Sequence, residues 1–422
     1  MSHDFLAELD ARGLAQERSD GLDARLARGP VSAYIGFDAS ARSLHVGHLL
    51  QVFLLAHLQR AGGRPVVVIG GATGMIGDPS GKSSERKLLD DATIETNAAA
   101  LRGQLERFLD FSPGPAQARM VDNRDWLAGM SVITYLREIG KHFTVPYMLR
   151  KDSVQARLQA GMSFTEFSYM TLQAADFLHL HRELGVDLQM GGADQWGNIT
   201  AGLELIRRVE GREEGADPSA FGLCSPLLLT KAGLKMGKSE RGAVFLDPAL
   251  TSPWEFYQYW LADEDELVVR HLRWLTLRTA DEIAAVEAEH AARPEARVAH
   301  RALARDLTAR IHGEAEAALQ ERVTAAVFGG EPIDDPEVLA VVHREVGGFA
   351  LPAEEPAPID LLVASGLAAS RGEARRLLEQ GGVTVNGARL GPDGPVPSRI
   401  AGRWLVVRVG RKRLAVGRAE GA

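Results

Sequence analysis

Cysteine is nearly missing from this sequence: Cys224 is the single example in 422 residues. One thiol cannot close an internal disulfide, and no Cys/His cluster has the spacing of a structural zinc site. A reducing, cytoplasmic environment suits such a chain. Long apolar runs are also missing. Nothing approaches the roughly 18 consecutive apolar residues of a membrane helix, so no membrane association is expected. The opening Met1-Ser2-His3-Asp4-Phe5 has no basic stretch leading into an apolar core, so no secretory signal is expected. No internal repeat is visible. Positive charge is in deficit, with a formal net charge of −8, which argues weakly against nucleic-acid binding. That average hides an asymmetry. From Ile359 onward there are 11 Lys+Arg against 5 Asp+Glu, a net of +6, which leaves −14 for the remainder. A basic tail on an acidic body points to RNA contact delegated to the C-terminus.

What is present is ordinary globular material, 45% hydrophobic and 25% charged, long enough for two or three domains. Residues 1–29 read as a helix carrying Leu6, Leu9 and Leu14, followed by a short basic turn. Ala33–Phe37 reads as a buried strand, Leu49–Arg60 as a helix ended by Gly62-Gly63, and Pro65–Gly70 as a second buried strand. Strand, helix, strand makes one right-handed crossover of a parallel sheet. Helical patterns dominate from about 85 to 190. A further strand is expected at Val186–Met190, with a helix at Ile199–Arg208. From Pro253 to about Phe328 the pattern is helical. Gly329–Pro358 reads as a linker rich in Pro, Gly and acid. Two short helices within Ile359–Glu379, a strand Val383–Val385 turning at Asn386-Gly387, and a last strand Trp404–Gly410 complete the chain.

Two motifs carry chemistry. The first, Asp38-Ala39-Ser40-Ala41-Arg42-Ser43-Leu44-His45-Val46-Gly47-His48, follows a strand and opens a helix. Phosphate can approach the backbone N–H groups at such a helix start. Gly47 lacks a Cβ, so a flat base can lie against it. His45 and His48 can donate to phosphate or ribose oxygens, although two histidines beside a helix start can equally be surface or capping residues. The second, Lys235-Met236-Gly237-Lys238-Ser239, puts two lysines on a loop between Gly233 and Gly242. Alone it is weak, since loops of this composition are common. A third segment, Gly77–Ser83, has the wrong glycine spacing for a P-loop and reads as a flexible loop, on which Lys82 and Arg86 could close over departing phosphates.

Paired, the first two motifs resemble the signatures of the class I aminoacyl-tRNA synthetases. The resemblance narrows on Tyr34-Ile35-Gly36-Phe37-Asp38, Gly77-Asp78-Pro79-Ser80-Gly81, Phe164–Phe177 and Gly191–Asn198. In order and spacing these are similar to the bacterial tyrosyl-tRNA synthetases over nearly the whole chain. The family then implies a doubly wound parallel, Rossmann-like α/β catalytic domain at 1–245, with a helical dimerisation insertion near 125–160. A helical anticodon-binding domain at 246–328, a linker at 329–357 and a small α+β RNA-binding domain at 358–422 would follow.

Family likeness also implies roles. Tyr169, Gln173 and Asp78 would hold the tyrosine amino group, Asp176 and Tyr34 its phenol hydroxyl, and Gln195 would lie near its carboxylate. Taken singly, Tyr34 in a strand is ordinary packing and Asp176 a solvated or paired acid; only their joint occurrence reverses that. Tyr169, Gln173 and Asp176 fall at i, i+4 and i+7, on one helix face. Ser40 and His45 would meet the phosphates, with Lys82, Arg86, Lys235 and Lys238 as mobile clamps and Ser239 completing the second motif. His48, Gly47, Gly36, Asp38, Gly192 and Asp194 would border the nucleotide. ATP would bring Mg²⁺ with it, without a dedicated protein metal site. The segment Ser370–Gly387 resembles a small RNA-binding module shared with a ribosomal protein, so Arg371, Arg375 and Arg376 are expected on tRNA(Tyr). Departures are few. Ala39-Ser40 stands where Pro-Thr is frequent, and Ser40 keeps the hydroxyl. Ile35 and Gln51 replace other groups near the ribose, and Gly237 replaces a serine. The competing readings are a tryptophanyl-tRNA synthetase, a small nucleotidyltransferase and a synthetase-derived RNA-binding protein without catalysis.

Overall fold

The computed structural model describes residues 4–78, 90–151, 154–155, 161–239, 242–330, 332–410 and 412–419. They form two compact units, one of residues up to Thr251 with Tyr259–Leu303, the other of Ser252–Gln258 with residues from Ala304 onward.

The first unit is built on a six-stranded sheet. Its strands are β1 (Glu17–Arg18), β2 (Ser32–Asp38), β3 (Arg64–Gly70), β4 (Arg119–Asp122), β5 (Leu188–Gly192) and β6 (Phe221–Ser225). Their order is β1-β6-β5-β2-β3-β4, parallel except for the edge pair β1–β6. The chain runs from β2 outward through β3 to β4, then returns to place β5 and β6 on the other side of β2. The direction of winding therefore reverses between β2 and β5, the place where doubly wound sheets open a ligand crevice at their strand C-termini.

Central strands of such sheets are covered on both faces, so they read as unbroken apolar runs. Pro65 to Gly70 of β3 is buried throughout, and the helix Leu49–Arg60 buries Leu49, Leu50, Val52, Phe53, Leu54 and Leu55. Each such side chain contributes roughly 1.5–3 kcal/mol by leaving water. These elements stand where the sequence places them. The first 29 residues do not: helix Phe5–Arg12 ends at Gly13 in the left-handed region (φ 70°), and β1 and a second short helix, Leu22–Ala27, follow. Strands β4 and β6 were not foreseen.

The long helix Phe164–Leu184 carries Tyr169, Gln173 and Asp176. Ser163 caps its start by accepting from the Glu166 N–H, and Gly185 ends it with φ 62°. Its buried face, Ala174, Ala175, Phe177, Leu178 and Leu180, packs in one core with Tyr34, Val66, Val68, Leu205 and Ile206.

The second unit holds a five-stranded sheet, β11-β10-β12-β13-β9, made of β9 (Gly348–Leu351), β10 (Val383–Val385), β11 (Ala388–Arg389), β12 (Trp404–Val409) and β13 (Arg413–Ala419). The expected Asn386-Gly387 turn is there, with φ of 48° and 82°, closing the β10–β11 hairpin. Within the stretch read as a linker lie a helix and a strand. Helix Pro336–Glu345 buries Val338, Leu339, Val341 and Val342, and β9 pairs with β13. Asp335 caps that helix and Pro336 starts it, so the residues that suggested a linker are its start signals.

Candidate active site

The crevice between β2 and β5 collects most of the expected residues. Gly36, in mid-strand, is exposed, and among the described residues no atom beyond its chain neighbours lies within 4 Å of where its Cβ would be. The sheet is open there, floored by backbone.

One end of the site is polar and buried. Tyr34 is 2% exposed and its hydroxyl has no hydrogen-bond partner among the described residues. Burial, then the Asp176 charge, raises its pKa well above the usual phenol value. Asp176 is itself 4% exposed. Its Oδ2 accepts from Asn123 Nδ2 (3.0 Å) and its Oδ1 from Trp126 Nε1 (2.8 Å). Desolvation outweighs both donors and pushes its carboxyl up to about 7. Asn123 and Trp126 were not found in the sequence. They follow β4, whose short, half-polar run gave no strand signal, so its C-terminal loop drew no attention. Asn123 also accepts from the Ala72 N–H and donates to Thr73 Oγ1. Thr73 in turn donates to Asp38 Oδ1 (3.3 Å).

Next along the same helix, the Tyr169 hydroxyl donates to Asp38 Oδ1 (3.4 Å). Gln195 Nε2 donates to Asp78 Oδ2 (2.8 Å), while its Oε1 accepts from Asn198 Nδ2 (3.1 Å) and Gln173 Nε2 (3.5 Å). Asp78, Gln173 and Gln195 thus form one network with Asn198, another residue not foreseen. Tyr169 is tied to Asp38.

The two signature motifs meet. His45 and His48 cap one another: His48 Nδ1 accepts from the His45 N–H, and His45 Nδ1 from the Gly47 N–H, both at 3.1 Å. Their rings lie 3.9 Å apart. A Cβ on Gly47 would fall 2.8 Å from the His45 ring and 3.0 Å from the Met236 carbonyl oxygen. Phe245, just past the second motif, bridges to His45. Lys235 Nζ pairs with Asp194 Oδ2 at 2.6 Å. A Cβ on Gly192 would fall 2.9 Å from Asp194 Oδ1. Ser40 is exposed at the end of β2. Lys82 and Arg86, and the side chains of Lys238 and Ser239, lie outside the described residues. Cys224 is buried on β6, where its thiol donates to the Gly192 carbonyl and desolvation raises its pKa. Among the described residues no group of three His, Cys, Asp or Glu could hold a metal ion, and no helix is long and apolar enough to cross a membrane.

In the second unit Arg371, Arg375 and Arg376 are exposed on the helix Arg371–Glu379, above buried Ala374 and Leu378. Arg371 is paired with Asp360.

The chain is similar to known proteins over most of its length. Residues 26–329 match the model of class I tRNA synthetases of the W and Y group, and residues 339–416 that of the SYY-like tyrosine–tRNA ligase C-terminal domain. The chain is 48% identical to a tyrosine–tRNA ligase of Anaeromyxobacter dehalogenans over 98% of each chain. It is 44% identical to that of Geobacillus stearothermophilus over 97% of this chain and 98% of the other. The C-terminally truncated mitochondrial tyrosyl-tRNA synthetase of Coccidioides posadasii is a structural neighbour at 31% identity. Its TM-score is 0.66, covering 76% of this chain and 91% of that one.

Proposed function

The chain belongs to the tyrosine–tRNA ligases of the class I W and Y family, and from that membership we propose how its crevice works. It activates L-tyrosine with ATP, then transfers the tyrosyl group to the 3′-terminal adenosine of tRNA(Tyr). The observation that carries the amino-acid choice is the buried Tyr34 hydroxyl beside the desolvated Asp176 carboxylate. A site built to bond a hydroxyl rejects the analogue lacking it, because its own polar groups would be left unpaired; tyrosyl enzymes are the standard illustration of that rule, so the expectation for this chain is directional.

In the first step the tyrosine carboxylate attacks the α-phosphorus of ATP. A P–O bond forms, the bond to the β-phosphate oxygen breaks, and pyrophosphate leaves. The nucleophile is already charged, so no general base is needed. Catalysis is positioning and charge stabilisation. Tyr169, Gln173 and Asp78 take the amino group and Gln195 lies by the carboxylate. Ser40 and His45 meet the phosphates, with Lys82, Arg86, Lys235, Lys238 and Ser239 as clamps. His48, Gly36, Asp38, Gly47, Gly192 and Asp194 border the nucleoside. Mg²⁺ enters as part of the ATP complex. In the second step a terminal ribose hydroxyl of tRNA, the 2′-hydroxyl by class, attacks the adenylate. Residues 246–328 serve the anticodon, and Arg371, Arg375 and Arg376 the tRNA backbone. The enzyme is a cytoplasmic homodimer joined through the insertion near 125–160. Val132, Ile133, Leu136 and Val145 there, and Phe164 just beyond it, stand 50–77% exposed, which supports that face.

Pyrophosphate exchange with each of the twenty amino acids tests the reading. Tyrosine alone should support it, and Tyr34→Phe should lose selectivity over phenylalanine more than turnover. Exchange driven by tryptophan, or unchanged selectivity in Tyr34→Phe, contradicts it.

A further inference from the structure

Trp126 stands on a single helical turn, Arg124–Leu127. One turn has little stability of its own and cannot by itself fix the plane of an indole. Yet the indole Nε1–H must stay aimed at Asp176 Oδ1, 2.8 Å away, since a hydrogen bond weakens steeply once its donor swings off line. Trp126 packs at the margin of the hydrophobic core, and a flat contact sets the plane of its ring. The His179 imidazole lies flat on it, centroids 4.4 Å apart and planes 14° apart. His179 is three residues beyond Asp176 on the helix Phe164–Leu184, hence on the same face, one turn along. This helix therefore grips Trp126 twice, by its N–H through Asp176 and by its flat side through His179. Burial lowers the His179 pKa, with Glu183 acting weakly the other way. Burial thus works against a charge on the stacked imidazole.

We propose that His179 is a positioning residue for amino-acid selection: stacked on Trp126, it keeps the indole N–H on Asp176 and so fixes the carboxylate that recognises the phenol hydroxyl. The proposal rests on the tyrosine-selective reading above. His179 touches no substrate in this account. Without it, Trp126 keeps its packing on the core but loses the flat contact that sets its plane, and the donor drifts from Oδ1 while Asn123 alone holds Oδ2.

The test uses the full chain carrying H179A, H179F or H179L, with wild type alongside, in tyrosine-dependent pyrophosphate exchange. H179A should raise the KM for tyrosine about three- to tenfold, the scale of one aromatic stack. It should also narrow discrimination against phenylalanine and leave kcat and the KM for ATP nearly unchanged. H179F keeps a flat ring and should restore the tyrosine KM. H179L, with similar bulk and no ring, should behave as H179A and replaces it if the alanine variant does not fold. Trp126 emission, taken as the difference from a W126F control, should shift in H179A and H179L and return in H179F. An unchanged tyrosine KM in H179A, or an equal loss in H179F, overturns the proposal. A wild-type enzyme without tyrosine-dependent exchange would instead remove the functional reading beneath it.

Discussion

At Asp176 the fold keeps a carboxylate where water barely reaches, and two consequences run in opposite directions with pH. Its pKa is raised from the ordinary 3.8 to about 7, so the folded chain favours the protonated form. The stability this brings is fully present below pH 3.8 and is lost as pH rises through about 7. Recognition has the reverse sign, because a phenol donates best to an ionised acceptor. Tyrosine affinity should therefore rise as pH climbs through 7. Below that point it should fall by roughly tenfold per unit, the limit for one linked proton. Calorimetric titration of tyrosine from pH 5.5 to 8 measures this, and Asp176→Asn should flatten the profile. An affinity constant across that range would show that Asp176 is not the acceptor. Tyr34, Asp176, Gln173 and Gln195 could be singled out in the sequence because they sit inside recognisable segments. Asn123 and Trp126 were not, since each acquires its role only when the chain folds back beside a helix some 50 positions away.

Among elements, the ones read correctly announce themselves by continuous burial. β2, β3 and the helix Leu49–Arg60 are apolar nearly throughout, so their character does not depend on distant partners. β4 is a short, half-exposed edge strand, and β6, although buried throughout, mixes Gly, Cys and Ser with only two large apolar residues, so neither carries a clear strand pattern. The turn at Gly47 shows how little room an element boundary can leave. A methyl there would meet the His45 ring at 2.8 Å and Met236 backbone at 3.0 Å. His45 cannot yield without releasing the cap it makes with Gly47 N–H. Gly47→Ala is expected to raise the KM for ATP by about tenfold or more, the scale of an overpacking penalty, with the tyrosine Kd little changed. Initial rates over an ATP series, beside equilibrium tyrosine binding, separate the two. An ATP KM within twofold of wild type would remove Gly47 from the nucleotide site.

For the whole molecule, charge is divided where function is divided. The segment from Ile359 carries +6 on a chain whose total is −8, and Arg375 and Arg376 are exposed on its second helix. Reversing both to Glu should leave tyrosine-dependent pyrophosphate exchange intact while raising the KM for tRNA about tenfold or more. The salt dependence of tRNA binding should become shallower, as fewer phosphates are neutralised. Comparing exchange with aminoacylation across a salt series decides it; parallel loss of both would mean that the two arginines serve folding instead. The same unit holds a further arginine tie. The Arg408 guanidinium, on β12, donates to the Ala326 and Val327 carbonyls at the end of helix Glu314–Gly329, groups that a helix leaves without partners of its own. The supposed linker, with its capped helix and paired strand, runs alongside that tie. Arg408 thereby fastens the strand to the helix end inside this unit, so a residue unable to donate there would leave both carbonyls bare and unclasp the two.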